Sequence, residues 1–511
     1  MPYYYEVIPL SQINEGLTYQ SNEQIPLGSI VQIPLRKKTA TGVILSKTKA
    51  EDITFDIKKI LKIQKIYAHS INQENLNFYQ YLSSHYFIDL GMVFKMAIQQ
   101  YPDTQHKSFL SYKGKTFSSQ KDLTNTFELK PKQFKELLDS KEISSTSKNF
   151  LFHQMQKEIK LNQEQQKIFD DIWQHKKQGF KTHLIDGVTG SGKTELYLKL
   201  IEETLVQGGQ SLVLLPEIAL TEEWTKRFKS YFGCEPFVWH SKQTRSQKSR
   251  ILQSLLKGEP CVIVGARSAV LLPFENLQML ICDEEHDSSY KQEDNIRYQA
   301  RDLAVVKSNF EKSKLILASA TPSLETINNI NNKKYHHVFL SQQYSGLPLP
   351  TISLVDLSKN KLEKNQWISN ILKLEIDQCL NNKEQALIFL NRRGYSPLSL
   401  CVECGYRHQC SQCSSWLVMH QQKRRLLCHQ CGSIQEMSED CPTCLAKDSI
   451  KFIGPGVERI AEELSQTYPD KVVSVMSSDI INSPKKIKDL VSKFSNKEID
   501  IIVATQIMAK G

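Results

Sequence analysis

Eight residues, "GVTGSGKT" from Gly187 to Thr194, constrain the fold of this chain more than any other stretch. They follow the apolar run "THLID" and precede "ELYLKLIEETL", which has the periodicity of a helix. This order of strand, glycine-rich loop and helix matches G-x-x-x-x-G-K-[ST], where backbone N–H groups and a helix N-terminus bind phosphate. A plain glycine-rich turn between a strand and a helix is the structural alternative. The complete octet in this context favours a nucleotide site on a parallel sheet.

Basic, hydroxyl and acidic side chains complete the predicted nucleotide site. In the loop, Lys193 offers a positive charge to phosphate and Thr194 offers a hydroxyl to magnesium. The predicted nucleotide-binding residues of the loop are Gly187, Val188, Thr189, Gly190, Ser191, Gly192, Lys193 and Thr194. A later strand, "LQMLICDEEH", ends in acids at the carboxyl edge of the sheet, although a plain acidic turn would give the same pattern. We expect Asp283 to hold magnesium and Glu284 to orient water, which makes Lys193, Asp283 and Glu284 the predicted catalytic residues.

Short apolar strands alternate with helical segments from "THLID" to "KLILASA", and again from "QALIFLN" to "DIIVAT". Such alternation predicts an α/β protein with parallel sheets in two tandem lobes, residues 159–345 and 346–511. Upstream, apolar alternation in "SIVQIPLRKKTATGVILS" predicts a β-hairpin, so residues 1–104 are expected to be β-rich. Residues 105–158 are polar, and their one predicted helix, "PKQFKELLDSKEI", fits a small helical or winged-helix module.

Eight of the 12 cysteines form four C-x-x-C pairs between Cys401 and Cys444. Paired thiolates at this spacing are typical of structural zinc sites, and four pairs can be joined into two sites in three ways. The stretch "SSWLVMHQQKRRLL" indicates a short hairpin that returns the fourth pair to the first, which favours a nested arrangement within an insertion at 396–449. The expected zinc ligands are Cys410, Cys413, Cys428 and Cys431 for the inner ion and Cys401, Cys404, Cys441 and Cys444 for the outer one. Disulfides and iron–sulfur clusters compete with this interpretation, but a reducing cytosol and the absence of ferredoxin spacing disfavour them.

Charge and hydropathy limit the class of protein. Lys and Arg outnumber Asp and Glu by 65 to 55, giving a net charge of +10 that suits a polyanionic partner without selecting one. The start, "MPYYYEVIPLSQ", lacks the pattern of a leader peptide, and no stretch reaches 18 uninterrupted apolar residues. We therefore expect a cytoplasmic protein of several domains with no membrane partner.

Further motifs carry a resemblance to a known family. "DEEH" at 283–286, "SATPS" at 319–323 and the phosphate loop together resemble superfamily 2 helicases. The stretches "LLPEIALT", "GARSA", "DEEHDSSYKQED", "RYQARDLA" and "FLNRRGY" resemble the PriA family of primosomal replication-restart helicases. The resemblance implies two RecA-like lobes with the zinc-binding insertion, preceded by a β-rich DNA 3′-end-binding domain and a winged helix. It also implies ATP, Mg²⁺ and two structural Zn²⁺ ions in the nested arrangement.

The family resemblance also implies an activity and partners. The activity would be ATP-dependent 3′-to-5′ DNA unwinding that recognises stalled or abandoned forks and initiates primosome assembly. The implied partners are forked and single-stranded DNA, primosome proteins and single-stranded DNA-binding protein, and the implied oligomeric state is a monomer.

Particular residues take implied roles from this resemblance. Gln165 in "LNQEQ" would recognise adenine, and the segment after "DEEH" resembles an aromatic-rich loop that couples single-strand binding to hydrolysis. The implied DNA-contacting and coupling residues are Arg267, His286, Tyr290, Arg297, Tyr298 and Arg301. This chain has Ile296 where family members often carry an aromatic residue, and a solvated polar surface is the alternative for these positions.

The last residues, "ATQIMAKG", resemble the start of a motif that precedes the family's arginine-bearing Q-x-x-G-R-x-G-R segment. None of the 21 glycines in this chain is followed by arginine, so we expect the second lobe to be incomplete. An arginine at the γ-phosphate is worth about three to five orders of magnitude in turnover at related sites. The alternative function is therefore a primosome assembly factor that binds ATP and DNA with little helicase activity.

Overall fold

A computed structural model of the 511-residue chain divides into two compact units, Met1–Leu349 and Pro350–Gly511. It describes residues 2–99, 101, 109–112, 115–117, 133, 144–146, 157–174, 181–216, 218–241, 243–294, 296–341, 343, 350–357, 359–360, 362, 366–390, 398–401, 403–420, 425–453, 456–477 and 484–505. Among these described residues, no helix has both the length and the apolar character needed to cross a bilayer.

The first unit begins with a five-stranded antiparallel sheet in the order β2-β1-β4-β3-β5, followed by two helices. Its elements are β1 (Tyr3–Pro9), β2 (Leu17–Ser21), β3 (Ser29–Leu35), β4 (Lys38–Thr48), β5 (Lys65–Ser70), α1 (Gln73–Tyr86) and α2 (Leu90–Ile98). The predicted hairpin is confirmed as β3 and β4, which pair in register with Ile30 opposite Val43. Both of these side chains are fully buried, because one face of the sheet packs on the helices.

Between residues 109 and 146 the structure describes Gln133 and three short strands, which form one antiparallel sheet. They are β6 (Phe109–Tyr112), β7 (Lys115–Phe117) and β8 (Ser144–Thr146). The predicted helix in "PKQFKELLDSKEI" lies outside the described residues except for Gln133, and the winged helix stays a prediction.

The first lobe is a seven-stranded parallel sheet in the order β11-β12-β10-β13-β16-β9-β17. Its strands are β9 (Thr182–Gly187), β10 (Gln210–Leu214), β11 (Phe237–Trp239), β12 (Cys261–Gly265), β13 (Leu277–Asp283), β16 (Lys314–Ser319) and β17 (Tyr335–Leu340), with a ribbon of β14 (Lys291–Gln292) and β15 (Tyr298–Gln299). Its helices are α3 (Gln163–Gln174), α4 (Lys193–Val206), α5 (Ile218–Phe232), α6 (Arg245–Leu256), α7 (Ala300–Glu311) and α8 (Leu324–Asn331). Strands β10 and β12 are buried along their whole length, as expected for a sheet covered on both faces.

Parallel pairing brings the functional ends of the strands to one edge of this sheet. Strand β9 ends at Gly187, the first residue of the phosphate loop, and β13 ends at Asp283. Only β16 separates them, with Asp283 opposite Ala318 and Ser319 opposite Asp186. The phosphate loop, the acidic motif and "SATPS" therefore meet at the carboxyl edge.

The second unit combines a small parallel sheet with a cysteine-rich module. Its elements are α9 (Asn370–Asn381), β18 (Ala386–Phe389), β19 (Leu398–Cys401), β20 (Val418–His420), β21 (Arg425–Leu427), β22 (Ile434–Glu436), β23 (Ile450–Ile453), α10 (Val457–Thr467), β24 (Val473–Met476), α11 (Pro484–Ser495) and β25 (Ile501–Ala504). Strand β25 lies between β18 and β24, and its side chains are fully buried. In the cysteine-rich module β20 and β21 pair antiparallel, which confirms the hairpin expected between the inner cysteine pairs.

Candidate nucleotide site and zinc module

The phosphate loop adopts the backbone that its glycines make possible. Gly190 and Gly192 have φ angles of +76° and +79°, in the left-handed region that side chains disfavour. Helix α4 starts directly after them at Lys193, so its free N–H groups face the loop. The Lys193 Nζ donates to the carbonyl oxygens of Gly187 at 2.7 Å and Val188 at 3.3 Å. Burial lowers the pKa of Lys193, while the charges of Glu284, Asp283 and Asp186 oppose that shift.

The acidic motif lies within electrostatic range of this lysine. The Asp283 carboxylate accepts a hydrogen bond from the Tyr197 hydroxyl at 2.7 Å and from the Glu284 N–H at 3.0 Å. Burial raises the pKa of Asp283, and Lys193 and the hydrogen bond from Tyr197 counteract it. Burial and then the charge of Asp283 raise the pKa of Glu284. The structure thus brings the three predicted catalytic residues, Lys193, Asp283 and Glu284, to one site.

The donor set at this edge fits a hard divalent cation. The Asp283 carboxylate and the hydroxyl of Thr194, which directly follows Lys193 at the start of α4, bring two oxygen donors to this edge. Carboxylate and hydroxyl oxygens are the protein ligands that Mg²⁺ accepts alongside water and phosphate. Among the described residues, the two hydrogen-bond donors to the Asp283 carboxylate, the Tyr197 hydroxyl and the Glu284 N–H, are both neutral.

Gln165 supports the phosphate loop directly. Its side chain is fully buried, and Nε2 lies 3.1 Å from the Ser191 carbonyl oxygen and 3.3 Å from that of Gly192. Its Oε1 accepts from the Asn162 N–H at 2.9 Å. These contacts fix the loop from beneath, whereas recognition of adenine by Gln165 stays a prediction.

Two further contacts join the acidic motif to "SATPS". The His286 Nδ1 lies 2.8 Å from the Ser319 Oγ. No role was predicted from the sequence for Glu285, whose carboxylate is buried. This carboxylate accepts hydrogen bonds from the Ser323 N–H at 2.6 Å and from the Thr326 hydroxyl at 2.9 Å. It also forms an ion pair with the Arg301 Nη1 at 3.2 Å. The position of Glu285 between Glu284 and His286 in "DEEH" gives no sign of this burial.

The segment resembling an aromatic-rich loop is folded onto the lobe. Tyr290 is fully buried, with its hydroxyl 2.6 Å from the Asp283 carbonyl oxygen and 2.8 Å from that of Leu214, while Tyr298 and Arg301 are 6% and 8% exposed. Their buried side chains offer no free face to a base in this structure. Of the six implied residues, His286 and Arg297 are exposed, and the roles of all six on DNA stay predictions.

Arg267 holds that segment in place. Its Nη1 donates at 3.1 Å to the carbonyl oxygens of Ser289 and Lys291, which flank Tyr290. The arginine expected to face DNA is therefore half-buried and bonded to backbone, and Ile296 packs partly against the core.

The structure gathers the eight cysteines into the two predicted groups of four. Within each group all sulfur atoms lie within 4.8 Å of one another, as a tetrahedral thiolate site requires. Hydrogen bonds, chiefly from the Gln412 backbone N–H, lower the pKa of Cys410 to about 6. A hydrogen bond with the Ser449 hydroxyl is the main cause that lowers the pKa of Cys401 to about 6. These hydrogen bonds favour the thiolate at Cys410 and Cys401, whereas burial and the neighbouring sulfur atoms raise the pKa of Cys431 and Cys404 to about 12. Three consecutive basic residues, Lys423, Arg424 and Arg425, lie in the stretch predicted to form the inner hairpin; Arg425 is half-buried, and the other two lie outside the described residues.

Comparisons with known proteins agree with this arrangement. Residues 6–99 match the family described as the 3′ DNA-binding domain of PriA, and residues 162–330 match the DEAD/DEAH box helicases. Residues 410–435 match the Cys-rich region domain of the PriA DNA helicase. The replication restart protein PriA of Rickettsia prowazekii is 39% identical over 509 residues, which cover 99% of this chain and 71% of the relative. The chain belongs to the PriA family.

Other PriA proteins match over different shares of their length. The PriA protein of Rickettsia conorii is 38% identical, and the match covers 96% of this chain and 68% of the relative. The PriA protein of Bacillus subtilis is also 38% identical, and the match covers 65% of this chain and 41% of the relative. A structure of RecG bound to a three-way DNA junction is similar at a TM-score of 0.39 and 15% identity, covering 74% of this chain and 38% of RecG. Membership in the PriA family makes this protein a DNA helicase and ATPase with a zinc-binding cysteine-rich region, and it confirms the predicted α/β fold class.

Proposed function

We propose that this protein is an ATP-dependent 3′-to-5′ DNA helicase of replication restart, which recognises stalled or abandoned forks and initiates primosome assembly. The observation that carries the proposal is the meeting of Lys193, Asp283 and Glu284 at the carboxyl edge of a helicase lobe, in a chain that belongs to the PriA family. The match of residues 6–99 to a 3′ DNA-binding domain supports recognition of a DNA 3′ end at the fork. Forked and single-stranded DNA, primosome proteins and single-stranded DNA-binding protein are the proposed partners of a cytoplasmic monomer.

The proposed chemistry divides among the residues of the site. The loop N–H groups and Lys193 bind the phosphates, and Thr194 and Asp283 hold Mg²⁺. When bound, Mg²⁺ neutralises charge that develops on the phosphates during transfer. Glu284 orients the attacking water, and its raised pKa suits it to accept a proton. The contacts of His286 with Ser319 and of Glu285 with Arg301 join this site to the neighbouring strand and helix, which is the route we propose for coupling hydrolysis to DNA.

Lys193→Ala is expected to weaken ATP binding by about 10- to 100-fold, because a charged hydrogen bond to phosphate contributes about 1.5–3 kcal/mol. Titration with a fluorescent ATP analogue measures the loss. Lys199→Ala is the matched control, since Lys199 lies on the same helix but pairs with Glu202 at 2.7 Å, away from the loop. Equal affinity in the Lys193 variant and the parent protein would contradict the assigned nucleotide site.

The direction of unwinding is tested with forked duplexes that carry either a 3′ or a 5′ single-stranded tail. The expected result is ATP-dependent strand displacement on the 3′-tailed substrate, with hydrolysis stimulated by the same DNA. Preference for the 5′ tail would refute the proposed polarity. Binding of ATP and forked DNA with little turnover would favour the assembly-factor alternative over a helicase.

A further inference from the structure

Tyr197 occupies a position that the established activity does not assign. It lies on α4, four residues after Lys193, and its side chain is fully buried. Its hydroxyl donates to the Asp283 Oδ2 at 2.7 Å. The phenol thus contacts a residue expected to hold the divalent cation.

A tryptophan on the next helix fixes this phenol. The Trp224 Nε1 donates to the Tyr197 oxygen at 2.8 Å, which leaves the Tyr197 O–H to donate to Asp283. An indole N–H can only donate, so the direction of the hydrogen bonds is determined. The chain of donors therefore runs from Trp224 through Tyr197 to the carboxylate.

Helix α5 holds Trp224 with little freedom. Trp224, Phe228 and Phe232 recur every four residues on one face, and their rings stack at centroid distances of 5.3 and 4.1 Å. Phe228 and Phe232 are buried in the core of the lobe. An ion pair between Arg227 and Glu195 joins α5 to α4 a second time. Ring packing and the ion pair thus hold the Trp224 N–H in place.

We propose that Tyr197 is a positioning residue that orients Asp283 for Mg²⁺, and that Trp224 sets the direction of its hydrogen bond. The inference rests on the proposed nucleotide site and adds residues to it. Side chains that orient the ligands of a metal typically change its affinity by about 10- to 100-fold when they are replaced. The ring of Tyr197 packs in the core, whereas the proposed function belongs to its hydroxyl, so Phe isolates that function.

The experiment compares ADP binding in Mg²⁺ with ADP binding in EDTA, using fluorescent ADP and the full chain. In Tyr197→Phe, the gain in ADP affinity that Mg²⁺ provides should fall by about tenfold, while affinity in EDTA stays unchanged. Electron paramagnetic resonance of Mn²⁺ with saturating ADP gives a second measure, in which the fraction of bound Mn²⁺ should fall in parallel. A purely structural role would lower affinity in both buffers or in neither.

Tyr79→Phe is the matched control, because Tyr79 is also fully buried and its hydroxyl donates to the Leu271 carbonyl oxygen at 2.7 Å. It should keep the full Mg²⁺-dependent gain. An unchanged gain in a folded Tyr197→Phe variant would overturn the inference. If Tyr197→Phe does not fold, Trp224→Phe is measured instead. The inference is overturned if Mg²⁺ raises the ADP affinity of Trp224→Phe as much as that of the parent protein. Absence of ADP binding by the parent protein in both buffers would instead refute the proposed nucleotide site.

Discussion

Removal of zinc is expected to unfold the cysteine-rich module between β19 and β23 while the seven-stranded sheet of the first unit stays folded. The apolar core of this module is small. Apart from cysteines, the buried apolar side chains among its described residues are Leu417, Met419, Leu426 and Ile450. Structural zinc supplies about 10–16 kcal/mol of apparent binding free energy in small domains, which exceeds what four such side chains contribute. The metal is therefore the main source of stability for the module.

Metal analysis of the purified protein should find two zinc ions per chain and no iron. Cys428→Ser in the inner group and Cys441→Ser in the outer group should each reduce the content to one. Cys379→Ser is the control, because Cys379 lies outside both groups and should leave the content at two. Limited proteolysis after chelation should cut within the module before it cuts the first unit. One ion in the parent protein, or disulfide-linked pairs, would contradict the nested arrangement.

Local patterns explain what could be predicted from the sequence. The phosphate loop follows from glycines at left-handed φ between a strand and a helix, all within one short stretch. The grouping of the inner cysteines follows from the hairpin of β20 and β21, which the sequence between them already indicates. The parallel sheet follows from apolar strands alternating with helices. Each of these features depends on residues that are near one another in the chain.

The residues that were missed depend on distant contacts. Tyr197 meets Asp283 across 86 positions of sequence, and Glu285 meets Thr326 across 41. Neither pairing leaves a local pattern. The burial of Tyr290 likewise depends on a distant contact, and its implied role on DNA stays a prediction. Arg267 binds the backbone on both sides of Tyr290, and this long-range contact holds the ring in the core.

Lys307→Met is expected to destabilise the first unit by about 3–5 kcal/mol, because it leaves a buried carboxylate without its cation. Lys307 lies on α7 with its side chain fully buried, and its Nζ donates to the Asn75 Oδ1 at 2.8 Å and the Leu272 carbonyl oxygen at 3.0 Å. Glu311 is 3.5 Å away and 4% exposed. Since Asn75 belongs to α1, the lysine joins the N-terminal domain to the helicase lobe. Amide hydrogen exchange in α1 should therefore increase in the variant.

The shifted pKa values of Lys307 and Glu311 make the stability of the first unit depend on pH. Burial lowers the pKa of Lys307 to about 8, and burial raises the pKa of Glu311 to about 6. The folded state therefore binds fewer protons at Lys307 than the unfolded state, and stability should rise between about pH 8 and 10.5. At Glu311 the folded state binds more protons, so stability should fall as pH rises from about 4.5 to 6. Lys307→Met should abolish the alkaline rise and keep the acidic fall.

Urea unfolding at neutral pH, followed by tryptophan fluorescence, measures the change. Lys226→Met is the control, because Lys226 is exposed on α5 and its loss should cost less than about 0.5 kcal/mol. The double variant Lys307→Met with Glu311→Leu should recover most of the stability, since an apolar pair of similar volume often replaces a buried ion pair without loss. A double variant as unstable as Lys307→Met would show that the hydrogen bonds to Asn75 and Leu272, and not the unpaired carboxylate, account for the effect.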